Sequence, residues 1–259
     1  MRSYRSIDVL RWRGKSLDQV ADDVVKESKL DIFVNDNHLV SLACSPSLRW
    51  ELAVGYLITE GLITDLSQID LVNVNEEAGV VALKGSIAEG NGQGTTQKPD
   101  LIAASGGRGT EWCGVKSKGA LGKTPVCFRG DRLRELMEEL QEDSDLFHKT
   151  GGSHSAALAD NEKILFLVED IGRHNTLDKL VGRALTEGVD PSDKAILLSG
   201  RLSSEMTVKS INSGIPVLAS RSAPTDKATE IARTEHLTLV GFMRNGRMTV
   251  YSGEKRLIF

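Results

Sequence analysis

Cysteine is scarce in this chain: its 259 residues hold three, Cys44, Cys113 and Cys127. An odd, low count in a chain this long argues against a disulfide framework and fits a reducing cytosol. No apolar run approaches the ~20 residues that a membrane helix needs. Neither sign of charge dominates, since the net charge is only -4 with 26 % charged residues. The basic excess expected of a bulk nucleic-acid binder is therefore missing. The arginine-rich start, Met1 to Lys15, has no long apolar stretch behind it. It reads as a solvated tail and not as a secretory signal. These absences describe a cytoplasmic globular protein with neither nucleic acid nor membrane as partner.

Several reactive motifs are missing as well. Gly14-Lys15-Ser16 is similar to the end of a P-loop, but Val9 stands where that loop needs its first glycine. There is no G-x-S-x-G elbow, no C-x-x-C and no H-x-E with P-C-x-x-C. No zinc or other metal site is expected on this basis.

What is present is 40 % apolar residues, enough to fill one large core or two modest ones. Residues 30–34 and 38–43 read as strands joined by a turn at Asn35-Asp36-Asn37. Ser45-Pro46 predicts a helix start, with the helix running to about Glu60 and Gly61 placed to end it. Residues 69–87 predict two more strands. The stretch from Ala88 to Pro99 is polar and glycine-rich and reads as a linker. It divides the chain into a small α+β unit, residues 1–98, and an α/β unit, residues 99–259. The second unit begins with another glycine-rich stretch, Ser105 to Gly119, then a short strand near 125–128 and a charged helix near 130–142. Short apolar runs at 164–168, 195–198, 215–219 and 237–243 then alternate with helical stretches. A last strand follows at 247–251. That alternation predicts a layered α/β sheet of parallel strands buried on both faces.

Ligands of such sheets bind beyond the carboxyl ends of the strands. Each of those ends supplies arginine here: Arg173, Arg201, Arg221, and Arg244 with Arg247. With exposed helix N–H groups beside them, they suit a polyanion such as a nucleotide phosphate, provided that the four ends share one rim. The competing reading is that the hydroxyls there cap helices and the arginines are solvated. His174 with Asp178, and Asn175 with Lys179, are each four apart on a predicted helix, so each pair can meet. A locking role is as good a reading as a catalytic one. His154, after a glycine pair, reads first as a structural group. Cys44 and Cys127 read as small core hydrophobes. Cys113 differs: it sits in the glycine-rich stretch with Arg108, Lys116 and Lys118, cations that favour a reactive thiolate.

Together these stretches resemble the formate dehydrogenase accessory sulfurtransferase family. The resemblance is carried by Glu169 to Lys179, Leu198 to Met206, Gly214 to Ser220, Ser222 to Thr225, Thr238 to Phe242 with Arg244, residues 151–154 and Leu57 to Gly61. It implies a main domain similar to the cytidine deaminase fold, without the zinc chemistry, beside a smaller α+β N-terminal domain. It implies a sulfur carrier required for formate dehydrogenase activity. Sulfur would pass from a cysteine desulfurase, as a persulfide on Cys113, to a molybdenum or tungsten cofactor of the bis(molybdopterin guanine dinucleotide) type. The guanine nucleotide end would bind at Phe242, Met243, Arg244, Asn245, Gly246 and Arg247, and the protein would be a homodimer. The alternatives are a cofactor chaperone without sulfur transfer and a nucleotide-modifying enzyme.

One departure stands out. The family's C-G-x-C reads Cys113-Gly114-Val115-Lys116 here, so lysine replaces the second cysteine. A relay or disulfide between two loop cysteines cannot form. Lys116 is expected to hold Cys113 as thiolate instead. Titration of the Cys113 thiol should give a higher pKa in Lys116→Ala than in the wild type, and an unchanged value would remove this role.

Overall fold

A computed structural model describes residues 2–88, 121 and 126–259 of the chain. The glycine-rich stretches, with Arg108, Cys113, Lys116 and Lys118, lie outside the described residues.

The N-terminal residues form a two-stranded antiparallel ribbon, β1 (Tyr4–Trp12) with β2 (Leu17–Val25). This corrects the expected solvated tail. Ile7, Leu10, Trp12 and Leu17 stay exposed on the ribbon. Their pattern therefore carried no signal of a core. Next come β3 (Ser28–Val34) and β4 (Asn37–Cys44), turned by Asn35 and Asp36 at φ 48° and 68°. Two positive φ values match the twist of a tight hairpin. With β5 (Ile69–Asn75) and β6 (Val80–Gly85) they make a four-stranded sheet in the order β4-β3-β6-β5.

Helix α1 (Arg49–Thr59) begins four residues after Ser45, later than the sequence predicts. Ser45 is diverted because its N–H and hydroxyl both donate to the buried Asp170 carboxylate. The predicted stop holds. Gly61 N–H bonds the Ile58 carbonyl and Leu62 N–H the Leu57 carbonyl, which closes the helix end.

The larger part of the chain follows as β7 (Phe128–Arg129), α2 (Gly130–Glu142), α3 (Asp145–Thr150), β8 (His154–Ala159), β9 (Ile164–Asp170) and α4 (Arg173–Thr186). Then come β10 (Ala195–Leu198), α5 (Ser204–Asn212), β11 (Val217–Ser220), α6 (Asp226–Thr234), β12 (Thr238–Arg244), β13 (Arg247–Ser252) and β14 (Leu257–Ile258). Six strands form one sheet in the order β13-β12-β11-β10-β8-β9. Only β10, β11 and β12 are parallel neighbours; β8 runs antiparallel to both β9 and β10, and β13 antiparallel to β12. The all-parallel expectation is thus corrected to a mixed sheet. The sequence reading missed β8 as a strand, because its apolar residues run on without alternation when both faces are covered.

Successive residues of each central strand enter opposite cores. Ala157, Ala195, Leu197, Val217 and Ala219 pack with Leu133, Leu136 and Leu140 of α2. Ala156, Leu158, Ile196, Leu198 and Leu218 pack with α4 and α5 on the other face. That second core continues through Leu52 and Leu57 of α1 to Leu30, Ile32 and Leu83 of the four-stranded sheet.

Two glycines let α1 lie directly on α4. A Cβ on Gly182 would fall 1.8 Å from the Glu51 carbonyl oxygen, and one on Gly55 would fall 1.7 Å from that of Asp178. Backbone cannot yield as a side-chain tip does, so the helices must separate if either gains a methyl. Gly182→Ala should cost about 3 kcal/mol, read as a lowered urea midpoint. A variant of wild-type stability would show that the crossing is loose.

Candidate functional site

Strand direction brings the predicted strand-end arginines to one edge of the large sheet. β9, β10, β11 and β12 point the same way, so their carboxyl ends share a rim. β8 runs opposite between β9 and β10, which puts its first residue, His154, on that rim too.

Much of the polar sequence there holds the fold together. Glu169 accepts from the N–H groups of Leu146 and Phe147, both at 2.8 Å, and so caps α3. Asp170, fully buried, pairs with fully buried Lys179 at 2.5 Å. It also accepts from Ser45 N–H, Ser45 Oγ, Gly172 N–H and Asn175 Nδ2 at 2.8–3.0 Å. Asn175 and Lys179 therefore meet at Asp170, as a lock. The pairing of His174 with Asp178 does not occur. Asp178 binds Lys209 at 2.9 Å, while His174 Nε2 lies 2.9 Å from Glu205 Oε2. That contact spans two helices, and no local spacing signals it. Ser203 and Thr225 cap α5 and α6, as the competing reading held.

The groups left over are cationic. Burial lowers the Arg173 pKa from its ordinary value, and nearby Arg201 lowers it further. His174 holds the Glu205 carboxyl below the ordinary glutamate value. Arg221, with His148, Ser153, His154, Ile171 and Ser199, lines a cavity of about 470 Å³. Burial, then Arg173, depresses the His154 pKa, so its imidazole is neutral at pH 7. Neutral imidazole beside guanidinium and hydroxyl groups can take a small polar or anionic group.

Farther along the rim lies the turn from β12 to β13. Asn245 and Gly246 have φ 53° and 72° and make the tight hairpin. Phe242 has φ 52° at a break in the β12–β13 register, a strained position for a non-glycine residue. The guanidinium carbons of Arg244 and Arg247 lie 5.6 and 5.7 Å from its ring centre. Phe242, Arg244 and Arg247 thus form one aromatic and basic surface. Met243 turns away into the core at 1 % exposure. None of these residues lines the His154 cavity.

The cysteines separate clearly. Cys44 is buried, and burial raises its pKa. Cys127 is exposed, which corrects the expectation of a core residue. It follows residues 122–125, outside the described chain, and opens on a cleft at the opposite edge of the sheet with His236 and Arg256.

Comparison with known proteins agrees across the chain. The model of the FdhD/NarQ family matches residues 25–258. The sulfur carrier protein FdhD of Listeria monocytogenes serotype 4b (strain F2365) is 35 % identical over 257 residues, covering 96 % of this chain and 97 % of that one. The protein of the same name from Bacillus subtilis (strain 168) is 35 % identical over 253 residues, covering 96 % of each. The crystal structure of a protein described as a formate dehydrogenase accessory protein, from Desulfotalea psychrophila, superposes with a TM-score of 0.80. It covers 99 % of this chain and 100 % of its own at 22 % identity, and so supports the fold.

The depressed His154 pKa makes a thermodynamic prediction. Below the ordinary imidazole value of 6.5 the unfolded chain takes up a proton that native His154 refuses. Stability is then lost as pH falls through that value toward the native pKa. Urea midpoints should fall from about pH 7 to pH 5. The slope should be shallower in His154→Gln; an equal slope would refute the assignment.

Proposed function

The chain belongs to the FdhD/NarQ family, and we propose that it is a sulfur carrier serving a formate dehydrogenase. The observation that carries this is the near-full-length match to curated sulfur carriers at 35 % identity. We read its layering as similar to the cytidine deaminase fold.

The carrier is Cys113. Its thiolate attacks the outer sulfur of a persulfide on a cysteine desulfurase. A new S–S bond forms on Cys113, the donor's S–S bond breaks, and the donor leaves as thiolate. Passing the sulfur on as sulfide needs two electrons. An external thiol attacking Sγ supplies them, expels sulfide, and leaves Cys113 in a mixed disulfide that a second thiol frees. The acceptor is a molybdenum or tungsten cofactor with guanine dinucleotide ends. The Phe242, Arg244 and Arg247 surface suits a nucleotide, since aromatic and guanidinium faces stack on a base and guanidinium pairs with phosphate. The other thiols support the choice of Cys113: Cys44 is buried with a raised pKa, and Cys127 opens away from the rim. No helix among the described residues is long and apolar enough to cross a membrane.

Intact-mass spectrometry after incubation with a cysteine desulfurase and cysteine tests this. The wild type and Cys127→Ala should gain the mass of one sulfur atom, reversibly with reductant, and Cys113→Ala should gain none. No gain in any of them, with the desulfurase shown to be active, would leave the cofactor-chaperone reading.

A further inference from the structure

The cavity at the start of β8 has a volume of about 470 Å³, far more than a bare oxyanion fills and in the range of a small organic ligand. Several of its polar side chains are already engaged. Ser144 Oγ donates to the Leu140 carbonyl, Ser153 Oγ to Glu169, and His148 Nε2 to the Gln141 carbonyl. The groups still open define the guest. Ser199 Oγ accepts from Ser155 N–H, so its own hydrogen is free to donate. The Arg221 guanidinium, without a side-chain partner among the described residues, adds a charged donor. Gln141 Nε2 donates to the Met137 carbonyl, which leaves Oε1 as an acceptor. Neutral His154, also without a side-chain hydrogen bond among the described residues, offers one donor and one acceptor. Phe147 and Ile171 supply apolar faces.

Each open group selects a chemistry. Arg221 and Ser199 suit an anionic oxygen such as that of a phosphate. Gln141 Oε1 and the His154 acceptor suit N–H groups on the edge of a ring. Phe147 suits the flat face of that ring. A nitrogen heterocycle that carries a phosphate answers all three. Place on the rim narrows the choice. His154 begins β8 and Phe242 lies near the end of β12, with β11 and β10 between them. At ordinary strand spacing the two positions are about 14 Å apart. A diphosphate that joins two ring systems bridges a gap of that order.

We propose that this cavity holds the pterin end of the cofactor cargo, with its amino and ring N–H edge toward Gln141 and His154, its flat face on Phe147 and its phosphate toward Arg221 and Ser199. This rests on the cargo assigned under the proposed function and divides its binding into two subsites. The guanine end lies at Phe242, the pterin end lies in the cavity, and the diphosphate crosses the ends of β11 and β10.

Isothermal titration of the full chain with the two halves of the cargo, GMP and 6-hydroxymethylpterin phosphate, tests it. The wild type should bind both, and neither should displace the other. Phe147→Ala should weaken the pterin probe roughly tenfold, as loss of a stacking face does, and leave GMP binding unchanged. Phe147 is 46 % exposed, and its N–H bond to Glu169 survives the substitution, so this variant should fold. Phe147→Tyr keeps the flat face and should bind the pterin probe as the wild type does. His154→Leu should weaken the pterin probe as well. Three results would each overturn the inference and leave the nucleotide subsite standing: a wild type that binds GMP alone, a pterin affinity indifferent to both Phe147→Ala and His154→Leu, or displacement of the probe by an equal concentration of inorganic phosphate. A wild type that binds neither probe would overturn the inference and the cargo reading together.

Discussion

The Asp170–Lys179 ion pair is the interaction on which the rest of the structure depends. Both partners are fully buried, and each charge has hydrogen-bonding company. A buried pair contributes little net stability compared with apolar residues of the same volume. Removing one partner costs about 3–5 kcal/mol, because the other charge is left without compensation. The pair joins the end of β9 to α4, and through Ser45 it fastens the exit of β4 to both. The small sheet therefore sits at a defined place on the large one, just beneath the rim.

A second lock starts from the neighbouring residue of α4, Asp178. Lys209 of α5 bonds Asp178 of α4, Thr59 of α1 and Glu60, and its ammonium lies 5.1 Å from the Tyr56 ring centre. Burial works against that charge, but the Asp178 and Glu60 carboxylates override it and hold the lysine pKa above its ordinary value. The Gly55–Gly182 approach lies on the same seam of α1 and α4. Ion pairs on two levels and helix backbones in contact make the rim's floor stiff. The groups facing outward are then free to meet a ligand: Arg173, Arg221, His154, and the Phe242 surface with its two arginines.

Much of this was legible in the sequence. The β3–β4 hairpin, the Gly61 stop, the strands and helices after residue 164, and the arginines at the strand ends follow from periodicity and turn chemistry. The run from Glu169 to Lys179 was harder. Its charged and amide residues look like chemistry, but Glu169, Asp170, Asn175, Asp178 and Lys179 are all engaged in holding elements together. A sequence shows that such residues are present and not which partners they find; here those partners lie as far away as Ser45 and Lys209. The ribbon and β8 were missed for opposite reasons, one too exposed and the other too evenly buried to alternate.

By itself, the sequence determined most of the elements, the composition class and the chemical inventory: three cysteines, a cationic neighbourhood for Cys113, arginine after each of the four apolar runs, and no zinc motif. These rest on local propensity and side-chain chemistry, which need no partner. Tertiary structure decided strand order and direction, and with them that the arginines share one rim. It decided that His174 turns to Glu205, that Cys127 is exposed, and that Met243 faces inward while Phe242 meets two arginines. Each of these depends on which groups lose water together, and that is settled only when distant segments pack.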